Sequence, residues 1–196
     1  MKTKLMKKVD YLFAPNDLIE IDYEMLQICK ERYFGFLNDN PFPKPPDTGT
    51  YFEMINYLKR KDTNNPQKIG PYQNITIFEA ANRIASDLVI INGIIQLVDK
   101  YPELLLARFT LRLGILHEKG RGDFTIHLDD QDLEGEAFNV APSFLEVKLR
   151  NTISKWKKSE NRDQLMYILV NDEAFNFIGK SKIDDRVFRV KNLELK

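Results

Sequence analysis

The chain has 196 residues, 43% hydrophobic and 30% charged, the balance of a soluble globular protein of one domain or of one domain with an appendage. Its 29 basic and 29 acidic side chains cancel, so no global field draws it to nucleic acid or a membrane, and a polyanion site has to come from local clustering. The single cysteine, Cys29, excludes an internal disulfide framework and points to a reducing compartment, and two histidines, His117 and His127, are too few for a histidine-rich zinc site.

The opening MKTKLMKKVDYLF is basic but lacks the apolar stretch of a signal peptide. Residues 16 to 37 place Leu18, Ile21, Tyr23, Met25, Leu26 and Ile28 in an apolar stripe behind a cap at Asn16 or Asp17, which predicts a helix. NDNPFPKPPDTG, 38 to 49, predicts a loop from its four prolines and glycine. YFEMINYLKRK, 51 to 61, predicts a short helix, and DTNNPQKIGPYQN, 62 to 74, a polar loop. Residues 1 to 74 thus read as an appendage of helices and loops with no recognisable chemistry, and residues 75 to 196 as the core.

In the core, Thr76 and Glu79 form a T-x-x-E capping box. Ile77, Ala80, Ala81, Ile84, Leu88, Ile91 and Ile95 follow at helical spacing, in a helix that ends before Pro102. Its most apolar run, within 88 to 98, is broken by Asn92, Gly93 and Gln96, so a cytoplasmic chain without a membrane span is expected. LLARFTLRLGIL, 105 to 116, predicts a strand and HEKGRG a turn. DFTIHLD, 123 to 129, alternates Phe124, Ile126 and Leu128 against Asp123, Thr125 and His127. DQDLEG predicts a turn and EAFNVA, 136 to 141, a short strand. QLMYILV, 164 to 170, is apolar enough to be covered on both faces, and RVFRVKNLEL adds an edge strand.

The stretch SFLEVKLR, 143 to 150, admits two readings. Ser143 and Glu146 make an S-x-x-E capping box behind Pro142, and Leu145, Leu149, Ile153 and Trp156 keep helical spacing, which predicts a helix over about 143 to 159. As a strand, the same residues would put Glu146 and Lys148 on one face, but Ile153 and Trp156 would be unexplained. Helix, three strands, helix, strand predicts an α/β fold, a mixed sheet with helices on both faces.

With a turn centred near Gln131, Asp123 lies almost opposite Glu136 and Phe138. Two carboxylates at one sheet end repel unless a cation sits between them. Mg²⁺ suits such a pair, because it takes hard oxygen ligands and accepts one or two carboxylates with waters and phosphate oxygens; the Ala137 carbonyl is a further candidate ligand. Lys148, about one and a half turns into the helix, is a cation for charge building on a phosphodiester or for the attacking water. Blander readings stand beside these. Asp123 is then a turn residue after Gly122, Glu136 a surface acid and Lys148 a solvated lysine. Glu146 and Ser143 are caps, Glu79 pairs with Arg83, Asp87 is a satisfied polar group, His127 is structural and Trp156 packs in the core. Lys148, Arg150, Lys155, Lys157, Lys158 and Arg162 form either a solvated helix face or a phosphate-contacting ridge, joined by Arg108, Arg112, Lys119 and Arg121.

The element order and the Asp…Glu…Lys series resemble the restriction-endonuclease-like superfamily, the PD-(D/E)XK nucleases, over roughly residues 75 to 171. The resemblance implies an αβββαβ core whose second strand opens with an acid, here Asp123, and whose third carries another, here Glu136. The lysine two residues later is replaced by Phe138; some members take it from the next helix, which Lys148 would supply. Where an acid from the first helix takes part, Glu79 is the candidate and Asp87 the second; Glu146 replaces Glu136 if 143 to 150 is a strand. Also implied are hydrolysis of DNA with Mg²⁺ or Mn²⁺ in restriction, defence or repair, DNA contacts through Arg150, Lys155, Lys157 and Arg121, and commonly a homodimer. The rival readings are a non-catalytic nucleic-acid- or protein-binding module of the same fold, and an interaction protein acting through its N-terminal third.

Overall fold

The computed structural model describes residues 9–13, 15–47, 49–61, 67–114, 120–158, 165–177 and 185–191. They cluster into two units, 1–14 with 31–84 and 15–30 with 85–196, so the division runs through two helices rather than between residues 74 and 75.

The helix expected over 16 to 37 is broken by pairing with a distant strand. Pro15–Leu18 is a single 3-10 turn, and α1 begins only at Tyr23, running to Asp39. Ile21 and Phe109 exchange backbone hydrogen bonds of 2.9 and 2.7 Å, and the Met25 amide donates to Asp22 Oδ1, so Asp22 rather than Asn16 or Asp17 caps α1.

In the first unit, α2 (Tyr51–Lys59) starts at a Thr50–Glu53 capping box. The loop expected over 62 to 74 contains instead β2 (Lys68–Ile69) and β3 (Tyr72–Gln73), which join β1 (Asp10–Tyr11) in an antiparallel sheet of order β1-β3-β2. Gly70 turns the chain at φ +53°, and the flanking Ile69 and Tyr72 are fully buried.

Helix α3 spans Ile77–Lys100. The Glu79 amide donates to Thr76 Oγ1, while the Glu79 carboxylate pairs with Arg83 at 3.0 Å, so the box is only half made. Among the described residues α3 is the one helix long and apolar enough to cross a membrane, and 61% of its most apolar window is buried within the protein.

The second unit carries β4 (Arg108–Leu111), β5 (Phe124–His127), β6 (Asp132–Phe138), α4 (Pro142–Lys157), β7 (Leu165–Asn171), α5 (Asp172–Phe175) and β8 (Val187–Val190). The expected order α3, three strands, α4, strand is present, and the one-turn α5 is an addition. Of the strand expected over 105 to 116, whose last two residues lie outside the described residues, β4 starts only at Arg108, because Pro102–Leu106 winds into a 3-10 turn that leaves Leu106 94% exposed. β6 starts four residues before Glu136, since the chain already reverses at Leu128, whose amide donates to the Gln131 carbonyl. Helix α4 is capped by Ala141 without a side-chain bond, so the Ser143–Glu146 box does not form. Pro142 at the first helical position supplies the preset φ and lacks an amide that would be unpaired there anyway.

The sheet order is β4-β5-β6-β7-β8, antiparallel across β4–β6 and parallel across β6–β8. Register assigns its faces. Phe109, Leu111, Phe124, Ile126, Leu133, Ala137 and Leu169 share one face, all buried, and a Cβ on Gly93 of α3 would meet Leu169 at 2.5 Å, so α3 covers this side. The opposite face is apolar at Phe138, Ile168 and Val170, where Leu145, Leu149 and Trp156 of α4 pack, and at Val187 of β8 beside Ile168. The rest of it, across β4–β6, is polar: Thr110, Thr125, His127, Asp132, Glu134 and Glu136. The site lies where these two regions meet.

Two glycines let the β5–β6 pair close at that end. A Cβ on Gly135 would lie 1.9 Å from the Phe124 ring, and one on Gly122 would lie 2.2 Å from the Gly135 carbonyl oxygen. The second obstacle is backbone and cannot rotate away. Gly122→Ala is expected to lower stability by about 1–3 kcal/mol, read as a lower urea midpoint with an unchanged slope.

Candidate active site

The hairpin register builds the acid pair. Phe124 faces Gly135, so one step further Asp123 faces Glu136, on the polar side of the sheet. Asp123 stands just before β5, where its carbonyl accepts the Arg112 amide at 2.9 Å and its Oδ2 accepts the Ala137 amide at 2.8 Å. Its side chain thereby bridges to the backbone of β6 where the ladder ends.

Glu136 is 13% exposed. Its Oε1 accepts a 2.8 Å hydrogen bond from Trp156 Nε1, with Lys155 Nζ at 3.8 Å. Burial raises its pKa and the charge of Asp123 raises it further, while Trp156, Lys155 and Lys148 pull it back. Lys148 is an exposed residue, yet its Nζ stands 4.3 Å from the centroid of the ring of the fully buried Phe138. Burial of the ammonium lowers its pKa, and the charges of Asp123 and Glu136 oppose that fall. Two acids and one amine therefore lie within electrostatic reach of one another.

Other sequence candidates fall elsewhere. Residues 143 to 150 are helical and Glu146 is exposed, so the strand alternative with Glu146 as second acid lacks its element. Glu79 lies in the first unit and is bonded to Arg83. Asp87 is buried and accepts the Gly114 amide at 2.8 Å. Arg150, Lys155 and Lys157 on α4 and Lys158 at its C-cap are exposed, and Lys119 and Arg162 lie outside the described residues.

Arg112 and Arg121 serve a cluster that the sequence reading missed. Glu134 is completely buried and accepts from Arg121 Nη1, the Gly122 amide and Thr125 Oγ1, with Arg112 Nη1 at 3.8 Å. Arg112, 7% exposed, also donates to Thr125 Oγ1 and the Gly122 carbonyl, so it is a structural arginine rather than part of a phosphate ridge. Arg121 pairs with Asp132 as well, and Arg108 donates to the Glu20 carbonyl. His127 completes the polar face, with Nδ1 2.7 Å from Asp132 Oδ1 and Nε2 2.8 Å from Thr110 Oγ1. The available signal was parity: Asp132, Glu134 and Glu136 alternate on one face of one strand, and the nearby arginines are their counter-charges.

Among the described residues no three His, Cys, Asp or Glu side chains come together as a metal cluster. A divalent ion here would have the Asp123–Glu136 pair plus backbone or substrate oxygens, a donor set that fits Mg²⁺ and not zinc. No family model, curated protein or solved structure matches this chain.

Because the folded-state pKa of Glu136 is raised, its contribution to stability is full below the unfolded carboxyl value and is lost as pH rises through the folded value. At neutral pH its charge is a cost. Glu136→Gln keeps an oxygen for Trp156 and removes that charge. It is expected to raise stability by roughly 1 kcal/mol at pH 7 and to make little difference near pH 4, as read by thermal melts at both pH values.

Proposed function

We propose that this chain is a Mg²⁺-dependent nuclease that hydrolyses DNA phosphodiester bonds, with Asp123 and Glu136 as metal-binding carboxylates and Lys148 as the catalytic amine. The observation that carries the reading is the convergence of these three groups at one sheet end. The order of elements around them, α3, β4, β5, β6, α4, β7, is the one expected of the restriction-endonuclease-like superfamily.

The residues fit the ion. The carboxyl of Glu136 is pushed up partly by Asp123, the repulsion a cation would relieve. Asp123 Oδ2 takes the Ala137 amide, which leaves Oδ1 for a cation. In a strand a residue's amide and carbonyl point the same way, so the Ala137 carbonyl is directed to the side of Asp123 and supports the three-oxygen set. A bound Mg²⁺ would polarise the scissile phosphoryl group and make a bound water more acidic.

The chain's own groups would do the rest. Asp123 and Glu136 would hold the ion, since by themselves two carboxylates repel a phosphate. Lys148 Nζ, when protonated, offsets negative charge growing on the phosphorus oxygens; its lowered pKa also suits it to receive a proton from the attacking water. Exposed Arg150, Lys155 and Lys157 would contact neighbouring phosphates, which gives salt-dependent affinity without sequence preference.

The test is plasmid nicking with Mg²⁺ or Mn²⁺ beside thermal melts. The parent is expected to nick, and Lys148→Ala to lose roughly 100- to 1,000-fold in rate while keeping its Mg²⁺-induced rise in melting temperature. Asp123→Asn is expected to lose both nicking and the rise, which for the parent corresponds to about 2.7 kcal/mol at a hundredfold excess over Kd. Undiminished cleavage by Asp123→Asn would overturn the site. A parent that binds DNA but never cuts it would leave the non-catalytic binding module, the reading favoured by Phe138 at the usual lysine position.

A further inference from the structure

We propose that Phe138 is a positioning residue that seats the Lys148 ammonium over its ring, so that an amine from α4 occupies the place an in-strand lysine two residues after Glu136 would fill. The inference rests on the nuclease reading and deepens it, because it assigns work to the very residue that departs from the family pattern.

A lysine side chain has four rotatable bonds and a strongly hydrated head, so on an exposed helix it samples many positions. Two features confine this one. The backbone of α4 is held against the sheet by Leu145 and Leu149, which bracket Lys148 and pack on Phe138, Ile168 and Val170. The head then stands 4.3 Å over the Phe138 centroid, well inside the range where the negative face of an aromatic ring attracts a cation. Phe138 itself is fully buried and cannot swing away, since its ring belongs to the same core as Trp156.

Strand alternation supplies the rest. Phe138 and Glu136 are two residues apart on β6 and point to the same face, so a cation held on the ring lies beside the carboxylate. Lys155 reaches Glu136 from the last turn of α4 and remains largely exposed, whereas the Lys148 head is held at the ring. The polar contact partners of Glu136, Trp156 and Lys155, and Lys148 itself thus all come from one helix, α4, while the ring that receives the Lys148 head belongs to β6.

Two measurements test this, one independent of activity. The side chain of Lys148 should show upfield-shifted Hε resonances in spectra of lysine-labelled protein, assigned by their disappearance in Lys148→Arg and lost in Phe138→Leu. In nicking assays Phe138→Leu should lower kcat roughly 5- to 30-fold with the Mg²⁺-induced melting shift retained, and should have no further effect in a Lys148→Ala background. Unshifted Lys148 resonances would overturn the proposal, as would effects of Phe138→Leu and Lys148→Ala that simply multiply. A parent without metal-dependent nicking sinks the nuclease reading instead, and the resonance shift then decides the lysine–ring contact by itself.

Discussion

The buried carboxylate of Glu134 holds the rest of the site in register. It lies between β5 and the segment leading into it, and Arg121, Arg112, Thr125 and the Gly122 amide all converge on it. A carboxylate removed from water is tolerated only when its oxygens are filled in this way, and removing one partner of such a pair costs several kcal/mol. Register matters here more than stability alone. Side chains alternate with period two, so a slip by one residue between β5 and β6 would turn Asp123 and Glu136 to opposite faces and send the polar ladder into the α3 core. Glu134 makes such a slip prohibitive, because its partners cannot follow it.

The second constraint is that α4 covers only part of a face. Its apolar residues reach Phe138, Ile168 and Val170 and stop where the strands become polar. The border runs between Phe138 and Glu136, neighbours on the same side of one strand. Along this border Trp156 has its ring in the core and its N–H on Glu136, and Lys148, an exposed residue, has its ammonium over a buried ring. Such a border half-buries ionisable groups without fully pairing them. Glu136 and Lys148 are both shifted toward their neutral forms, chiefly by burial.

Much of this was legible in the sequence, and the misses have physical causes. The two-residue period of 123 to 129 located β5 and its faces, and the stripe Leu145, Leu149, Ile153 and Trp156 identified α4 even though its supposed cap at Ser143 is absent. The break in the N-terminal helix escaped notice because it is made by Ile21 pairing with Phe109, 88 residues away. The β2–β3 hairpin escaped because two-residue strands carry no period at all. Arg112 and Arg121 looked like phosphate ligands because local sequence shows a charge but not its partner.

Local pattern alone thus determined the fold class, the element order, the α/β alternation around the sheet, and the types of residue available for chemistry. These follow from periodicity and turn formers, which act over a few residues. Only the tertiary structure decided which acids meet, which arginines are internal, and that a lysine ten residues past Phe138 comes to rest on its ring. Those outcomes depend on strand register and on how far α4 reaches across the sheet, and both are set by packing between segments remote in the chain.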